Sequence, residues 1–229
     1  MYFVHGPQEQ MAALCYEKIV AILEQARRID QKCQLFGASE HQYKLNPPLN
    51  AAVVRLVEET YHFTFPEDYF QFITQVADGG AEPDYGIMPF EASLRSEAYN
   101  DFQEAYKRSL KTPFVPRPMM PEDVERHSFS KDSYERNPDQ FLICEKGEDD
   151  ICGTDGFWVL GTHGCQWDFG LVVSGGRKGQ VFTADNEGAY AFEAYSFHEF
   201  YQRWLDWLSD PENIRKELKK WCELLQKRT

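Results

Sequence analysis

Four residues in the second half of the chain carry side chains of the types that bind zinc. They are Cys144, Cys152, His163 and Cys165, with the spacing Cys-x7-Cys-x10-His-x-Cys. Structural zinc sites usually contain at least one short Cys-x2–4-Cys pair, and the set has none. We therefore predict packed or exposed, reduced thiols, with no bound metal and no cofactor.

His163 and Cys165 are also candidates for a base and a nucleophile. Residues two apart in a strand share a face, which suits such a pair, but no third group that would orient the base is evident. Ser174 follows two valines instead of the Gly-x of a nucleophile elbow. The loop Gly175–Gly179 lacks the spacing of a phosphate-binding loop and indicates a tight turn. The residues predict no catalytic site, and a Cys/His-based hydrolase or metalloprotein is left as an alternative.

Acidic residues outnumber basic ones, and they are concentrated in two segments. The chain has 37 Asp and Glu against 24 Lys and Arg, a formal net charge of −13. Residues 51–105 have a net charge of −9 and residues 140–210 a net charge of −8. This acidity argues against nucleic acid or an anionic membrane as the partner, and it permits attraction to a basic protein. The two acidic segments are interpreted either as two separate solvated faces or as parts of one negative surface on which they converge.

The composition and the apolar runs indicate the general class of protein. With 42% hydrophobic and 15% aromatic residues the chain is too apolar to be disordered. No stretch approaches the roughly 20 consecutive apolar residues of a membrane span. The first residues lack the basic and apolar regions of a signal peptide. We therefore predict a cytoplasmic protein.

The spacing of apolar residues changes from helical to strand-like and back along the chain. Helices are predicted at residues 8–36, 50–60, 65–76, 196–209 and 211–227. Strands are predicted at residues 141–144, 157–160, 168–173 and 180–183. Residues 106–139 contain five prolines and are interpreted as a surface insertion. The order predicts an α+β domain at 45–229, with a mixed, mainly antiparallel sheet flanked by helices, a C-terminal helix, and an N-terminal helical arm at 1–44 packed on it.

An ordered set of short motifs covers about residues 45–208. The first are Leu45-Asn46-Pro47-Pro48, Phe65-Pro66-Glu67-Asp68-Tyr69 and Asp78-Gly79-Gly80-Ala81-Glu82-Pro83-Asp84-Tyr85-Gly86-Ile87. The later ones are Val159-Leu160-Gly161-Thr162-His163-Gly164-Cys165, Leu171-Val172-Val173-Ser174-Gly175, Gly179-Gln180-Val181-Phe182, Ser196-Phe197 and Trp204-Leu205-Asp206. In this order they resemble the SUKH superfamily, which includes yeast cell-wall synthesis regulators and many bacterial immunity proteins.

The resemblance implies a function as well as a fold. It implies one sheet flanked by helices, no catalysis and no cofactor. Bacterial members commonly bind and block a cognate toxin, often a nuclease, inside the producing cell. We therefore expect a non-enzymatic immunity protein, with a regulatory interaction module of the cell-wall-regulator type as the alternative.

The expected partner is a cognate toxin with a basic surface, and the expected binding residues are acidic or aromatic. Acidic side chains would steer and pair with the toxin, and aromatic ones would fill the centre of the interface. The candidates are Glu82, Asp84, Tyr85, Glu148, Asp149, Asp150, Trp167 and Asp168.

Overall fold

A computed structural model describes residues 15–95, 103–127, 129–144, 155–165, 167–185 and 187–226. The α-helices are α1 (Tyr16–Ile29), α2 (Ala38–His41), α3 (Ala51–Tyr61), α4 (Glu67–Gln71), α5 (Phe90–Arg95), α6 (Gln103–Ser109), α7 (Lys131–Arg136), α8 (Phe197–Ser209) and α9 (Pro211–Gln226). The strands are β1 (Arg117–Pro118), β2 (Phe141–Ile143), β3 (Phe157–Gly164), β4 (Trp167–Val172), β5 (Val181–Asp185) and β6 (Ala189–Ala194). Helix α4 continues into a π-helical turn, Phe72–Val76.

The six described strands form one sheet in the order β1-β2-β6-β5-β4-β3. Every pairing in it is antiparallel. Helices pack against this sheet, so the predicted α+β class with flanking helices is confirmed. The sheet was predicted to be mixed and mainly antiparallel, and among the described strands it is entirely antiparallel.

Two helices begin with the N-cap residues that the sequence predicted. The Asn50 side chain accepts a hydrogen bond from the Ala52 N–H and begins α3. The Ser196 hydroxyl accepts one from the Glu199 N–H and begins α8. Both bonds satisfy an N–H group that a helix terminus otherwise leaves without a partner.

The core contains a hydrogen-bonded aromatic pair. The Trp158 indole on β3 is fully buried, and its Nε1–H donates to the Tyr69 hydroxyl on α4 at 3.0 Å. Phe65 packs edge-on against the same indole, with ring centroids 4.9 Å apart. The pair fixes helix α4 to the sheet, because a buried indole N–H must find an acceptor.

The variant Tyr69→Phe should destabilise the protein by about 1–2 kcal/mol. The ring remains, but the buried Trp158 N–H loses its acceptor and keeps the cost of its desolvation. Urea denaturation followed by tryptophan fluorescence measures the change. Tyr195→Phe is the matched control because the Tyr195 side chain is largely exposed. Equal losses in the two variants would show that the indole bond contributes nothing.

The N-terminal helix ends earlier than the sequence pattern predicts. Helix α1 stops at Ile29 rather than at residue 36, and residues 8–14 of the predicted helix lie outside the described part of the chain. The Asp30 carboxylate accepts hydrogen bonds from the Gln34 and Leu35 N–H groups, which turns the backbone out of the helix. Ile19 and Leu23 of α1 are buried in the main core.

Residues 106–139 do not form the surface insertion that their prolines suggested. Tyr106, Leu110 and Phe114 are almost completely buried and belong to the main core. Arg117–Pro118 pairs with β2 as the edge strand of the sheet. Proline is tolerated at an edge strand because an outward-facing N–H is not needed there. The segment therefore completes the sheet and its core.

Strand β6 had no counterpart in the sequence interpretation. Its sequence, AYAFEA, contains three alanines and a glutamate, which are depleted in strands, and two aromatic residues, which favour them. Pairing with β2 on one side and β5 on the other makes it a central strand.

No helix in the described part of the chain is both long and apolar enough to cross a bilayer.

Candidate functional site

The segment that carries Glu82, Asp84 and Tyr85 lies against the outer edge of the sheet. Gly80 forms backbone bridges with Leu45 and with Ile87. The Met88 N–H donates to the Leu160 carbonyl of edge strand β3 at 2.7 Å. These bonds hold a loop, residues 81–86, at a fixed place beside β3.

The N-terminal arm docks directly on this loop. Gly37 has φ +72°, and a Cβ atom built on it would lie 1.6 Å from the Asp84 carbonyl oxygen. The Phe36 ring lies edge-on to the Tyr85 ring at 5.2 Å between centroids. Only glycine allows two backbones to approach this closely in a left-handed conformation. The arm therefore contributes side chains to the surface around Asp84.

A buried carboxylate shapes the part of the arm that reaches the loop. Besides its two backbone bonds, Asp30 accepts a hydrogen bond from the Tyr43 hydroxyl at 2.8 Å. Burial raises the pKa of the Tyr43 hydroxyl far above its usual range, and the bond to Asp30 raises it further. Tyr43 therefore stays protonated and keeps donating, which fixes the chain between residues 30 and 43.

Between the arm, the loop and the C-terminal helices lies a cavity of about 180 Å³. Its walls include Phe36, His41, Glu82, Asp84, Trp204 and Trp207, and we call it the acidic–aromatic cavity. Glu217 of α9 adds a third carboxylate, and none of the described residues that line it is Lys or Arg. The charged groups on its walls are therefore of one sign.

Glu82 is buried, whereas a residue that contacts a partner at the protein surface is exposed. Its residue exposure is 1%, and neither carboxyl oxygen has a hydrogen-bond partner among the described residues. Burial raises the pKa of this carboxyl well above its ordinary value, and the nearby Asp84 carboxylate raises it further. A charge in this place is strongly disfavoured unless a cation accompanies it, so Glu82 holds a proton.

His41 forms a neutral wall of the same cavity. Burial lowers the pKa of its imidazole to about 4, although the Asp30 carboxylate opposes this shift. Its Nδ1 accepts a hydrogen bond from the Tyr43 N–H at 3.0 Å. Nδ1 is therefore unprotonated, and the ring adds no positive charge to the cavity at neutral pH.

A chain of hydrogen bonds connects the loop to the middle of the sheet. The Asp84 carboxylate contacts Nδ1 of His163 at 2.5 Å, and Nε2 of that ring lies 2.9 Å from the Thr183 hydroxyl. The Thr183 hydroxyl donates to Glu193 at 2.9 Å. Because this hydroxyl has one hydrogen, and Glu193 receives it, the His163 Nε2 acts as the donor.

Asp168 and Trp167 lie on β4, and the structure places them differently from each other. Burial raises the pKa of the Asp168 carboxyl, while Thr162 and the charge of His163 lower it, so Asp168 lies near the same histidine as Asp84. Trp167 is half-buried and packs edge-on against Phe129, with ring centroids 4.4 Å apart. It lines a separate groove of about 690 Å³.

The predicted site residues therefore divide into three sets. Glu82, Asp84 and Tyr85 lie together at the loop, and His163 links Asp84 to the neighbourhood of Asp168. Trp167 is in another groove. The remaining candidates, Glu148, Asp149 and Asp150, lie outside the described residues.

Sequence reasoning did not nominate four residues that build the cavity. Phe36 and His41 belong to the arm, which the motifs do not cover. Trp204 and Trp207 were interpreted as the apolar stripe of the helix that is now α8. The feature that marks the site is the exposed indole of Trp207, which is 38% exposed. The sequence does not show this exposure, because it depends on how the chain folds.

The spacing of His163 and Cys165 suggested that they share one face of a strand, and the structure shows a different geometry. Cys165 follows the end of β3 in a left-handed turn, with φ 49°, so the strand alternation does not continue to it. Both ring nitrogens of His163 contact groups other than this thiol. Among the described residues no cluster of three or more His, Cys, Asp or Glu is placed to hold a metal ion, and Cys152 lies outside them.

Comparison with known proteins adds no family to this description. The chain matches no protein-family profile, and no curated protein is significantly similar to it.

Proposed function

We propose that the protein is a non-enzymatic immunity protein of the SUKH type that binds and neutralises a cognate toxin with a basic surface. The observation that carries the proposal is a group of exposed aromatic side chains: Phe36 and Trp207 line a cavity whose ionisable carboxyl groups meet no Lys or Arg on its walls, and Tyr85 packs against Phe36 beside it. Phe36 is 46% exposed, and Tyr85 and Trp207 are each 38% exposed. Neutralisation of a toxin in the producing cell also places the protein in the cytoplasm.

Large aromatic side chains held on rigid elements suit the centre of a protein interface. They bury much apolar area and lose little conformational entropy on binding. Tyr85 is held by the Phe36 ring and by Gly164, where a Cβ would lie 3.0 Å from the Tyr85 ring. The aromatic anchors are therefore in place before any partner binds.

The charge of the surface favours a basic partner. Asp84 and Glu217 lie at the cavity, and long-range attraction of opposite charges raises the association rate and selects the partner. A nuclease needs a basic surface to bind phosphate. Covering that surface with acidic groups would exclude its substrate without any chemical reaction.

The bonds of His163 support a binding role over catalysis. In a catalytic triad a histidine also bonds a carboxylate at one ring nitrogen and a hydroxyl at the other, and the second nitrogen accepts the hydroxyl proton. Here Thr183 is buried and its hydroxyl hydrogen is directed to Glu193, so Nε2 of His163 donates to this hydroxyl and does not accept its proton. The three groups stabilise the loop on the sheet.

Co-expression tests the proposed function. The proteins encoded next to the gene are produced in a heterologous bacterium with and without this chain, and growth is measured. We expect one of them to be toxic alone and harmless with the chain, and to co-purify with it. If none is toxic and the gene stands alone, the regulatory alternative replaces the immunity function.

Tyr85→Ala should weaken binding of that toxin at least 10-fold, about 1.4 kcal/mol or more. The change removes a central aromatic anchor but leaves the loop backbone in place. Titration calorimetry with the purified toxin measures the effect. Tyr195→Ala is the matched control, since Tyr195 is 71% exposed and packs against Phe192 of the sheet, whereas Tyr85 packs against Phe36 of the arm. An unchanged affinity in Tyr85→Ala would place the interface elsewhere.

A further inference from the structure

We propose that Glu82 is a pH-dependent latch for the loop of residues 81–86. The loop stays docked on the arm and the sheet while this carboxyl group holds its proton, and it opens, with the sheet still folded, when the carboxyl group ionises. The latch follows from the surroundings of Glu82, so it does not depend on the toxin that we propose as the partner.

The first observation is that the docked loop offers nothing to stabilise a negative charge on Glu82. Both carboxyl oxygens are shielded from solvent, and no described residue donates a hydrogen bond to either of them. The whole residue is 1% exposed, so water reaches the carboxyl group only if the loop moves. A buried charge without a hydrogen bond or an opposite charge costs far more than a buried neutral acid. The docked loop therefore accommodates the protonated form and not the carboxylate.

The groups around this carboxyl group are neutral or acidic. Burial lowers the pKa of the His41 imidazole to about 4, and burial raises the pKa of the surrounding tyrosine hydroxyls far above their usual range. None of the described residues that line the cavity beside Glu82 is Lys or Arg. The titratable groups that surround the carboxyl are Asp84 of the loop, Glu217 of α9, His41 and Tyr43 of the arm, Tyr69 of α4 and Tyr201 of α8. No neighbour among them compensates a carboxylate charge at neutral pH.

The second observation is that the loop lies outside the sheet and can move without unfolding it. At its start the Ala81 N–H donates to the Lys44 carbonyl at 2.7 Å, and at its end the Gly86 N–H donates to Pro83 within the loop itself, at 3.3 Å. Between these residues Tyr85 is 38% exposed. A segment of this kind opens locally at a lower free energy than the whole domain unfolds.

Opening of the loop is coupled to release of a proton. Burial and the Asp84 carboxylate raise the pKa of the Glu82 carboxyl while the loop is docked, whereas the ordinary value for an exposed glutamate is 4.5. Between these two pKa values the open loop binds one proton fewer, so its opening constant rises with pH by up to about 10-fold per unit. The pH therefore also sets the fraction of molecules in which the Tyr85 ring packs on Phe36.

Hydrogen exchange of the full chain at pH 5, 6 and 7 tests the latch. After correction for intrinsic exchange rates, the Ala81 and Gly86 amides report opening of the loop, and the Phe182 and Thr183 amides of the central strand β5 report unfolding of the sheet. We expect larger opening constants for the loop amides at every pH. Equal opening constants in the loop and in β5 would show that the loop opens only when the sheet unfolds, and would overturn the proposal.

The variant Glu82→Gln separates the latch from other titrating groups. The ratio of the wild-type opening constant to that of Glu82→Gln, measured at the loop amides, should rise from pH 5 by up to about 10-fold per pH unit until the pH reaches the raised pKa. His41, whose pKa is lowered, acts in the opposite direction, but both proteins contain it and it cancels in the ratio. Glu59→Gln, which changes an exposed acid on α3, should behave like wild type. A ratio that does not change with pH would contradict the assignment to Glu82.

A direct titration of the wild-type carboxyl group gives a measure that needs no variant of Glu82. The chemical shift of the Glu82 carboxyl carbon, followed by NMR, should show a pKa well above 4.5, because burial and Asp84 raise it. Asp84→Asn should lower this pKa, and the opening constant should then stop rising at a lower pH. A Glu82 carboxyl that titrates at the ordinary value in the folded wild type would refute the latch.

Discussion

Gly37→Ala should lower the free energy of unfolding by roughly 3 kcal/mol and release the N-terminal arm from the loop. An alanine at φ +72° is strained, and its methyl group would lie 1.6 Å from the Asp84 carbonyl oxygen. A left-handed conformation at a non-glycine residue costs about 1 kcal/mol or more. Overpacking against backbone that cannot rotate away adds about 1–3 kcal/mol. The arm has no cheap way to accommodate the methyl group and should move off the loop.

Hydrogen exchange together with urea denaturation measures this effect. We expect the α1 amides to exchange faster in Gly37→Ala, with the Trp204 and Trp207 resonances shifted, because the arm forms one wall of the cavity. Gly176→Ala is the control, since no atom lies within 4 Å of a Cβ at Gly176 and its φ is ordinary. Wild-type stability and wild-type protection of α1 in Gly37→Ala would show that the arm is not docked in this way.

Glu82→Gln should stabilise the protein at neutral pH, and the gain should grow as the pH rises. The folded protein keeps the proton on Glu82 because burial and Asp84 raise its pKa, while the unfolded chain loses it above the ordinary value of 4.5. Above that pH the unfolded state binds fewer protons, so the wild-type free energy of unfolding falls by about 1.4 kcal/mol per pH unit. The glutamine variant lacks this loss.

Urea denaturation at pH 5, 6 and 7 gives the comparison. Above pH 5 the stability of Glu82→Gln should rise relative to wild type by at most about 1.4 kcal/mol per pH unit until the pH reaches the raised pKa of the Glu82 carboxyl, and below pH 4.5 the two should differ little. His41, whose pKa is lowered, has the opposite effect in both proteins, so it cancels in their difference. Parallel pH profiles in the two proteins would mean that Glu82 is not a buried neutral acid.

Gly37→Ala and Glu82→Gln test features that selection for stability alone would not maintain. A buried acid that keeps its proton has a pH-dependent cost in stability at neutral pH, and a glutamine of similar shape does not have this cost. Selection for function often maintains such costly groups at binding sites. The contact between Gly37 and Asp84 matters for the same reason, since it holds the aromatic walls around this acid.

Local signals in the sequence predicted the elements whose stability is local. Asn50 and Ser196 cap their helices as predicted, because a cap depends on residues within one turn. The apolar runs that begin at Phe141 and Phe157 are strands, as their β-branched and aromatic content indicated. The α+β class followed from the order of these patterns.

One error comes from a local signal that was not recognised, since the Asp30 carboxylate ends α1 by bonding N–H groups four and five residues further on. The other errors lie where a distant contact overrides the local pattern. Alanine-rich β6 is a strand because β2 and β5 hold it on both sides. Tyr106 and Phe114 pull a proline-containing segment into the core. Strand β2 lies more than 40 residues before β6, and Phe114 packs on residues as distant as Phe182 and Tyr190, so these contacts could not be recognised from the sequence.

For the candidate site, the sequence by itself determined the chemical character, acid beside aromatic, and it named the loop that carries Glu82, Asp84 and Tyr85. Only the tertiary structure decided that Glu82 is buried without a partner while Tyr85 is exposed. It also decided that Phe36, His41, Trp204 and Trp207 complete the walls. The physical reason is that burial and pairing depend on which distant segments meet, and one glycine, Gly37, allows the arm to approach the loop closely enough to form the cavity.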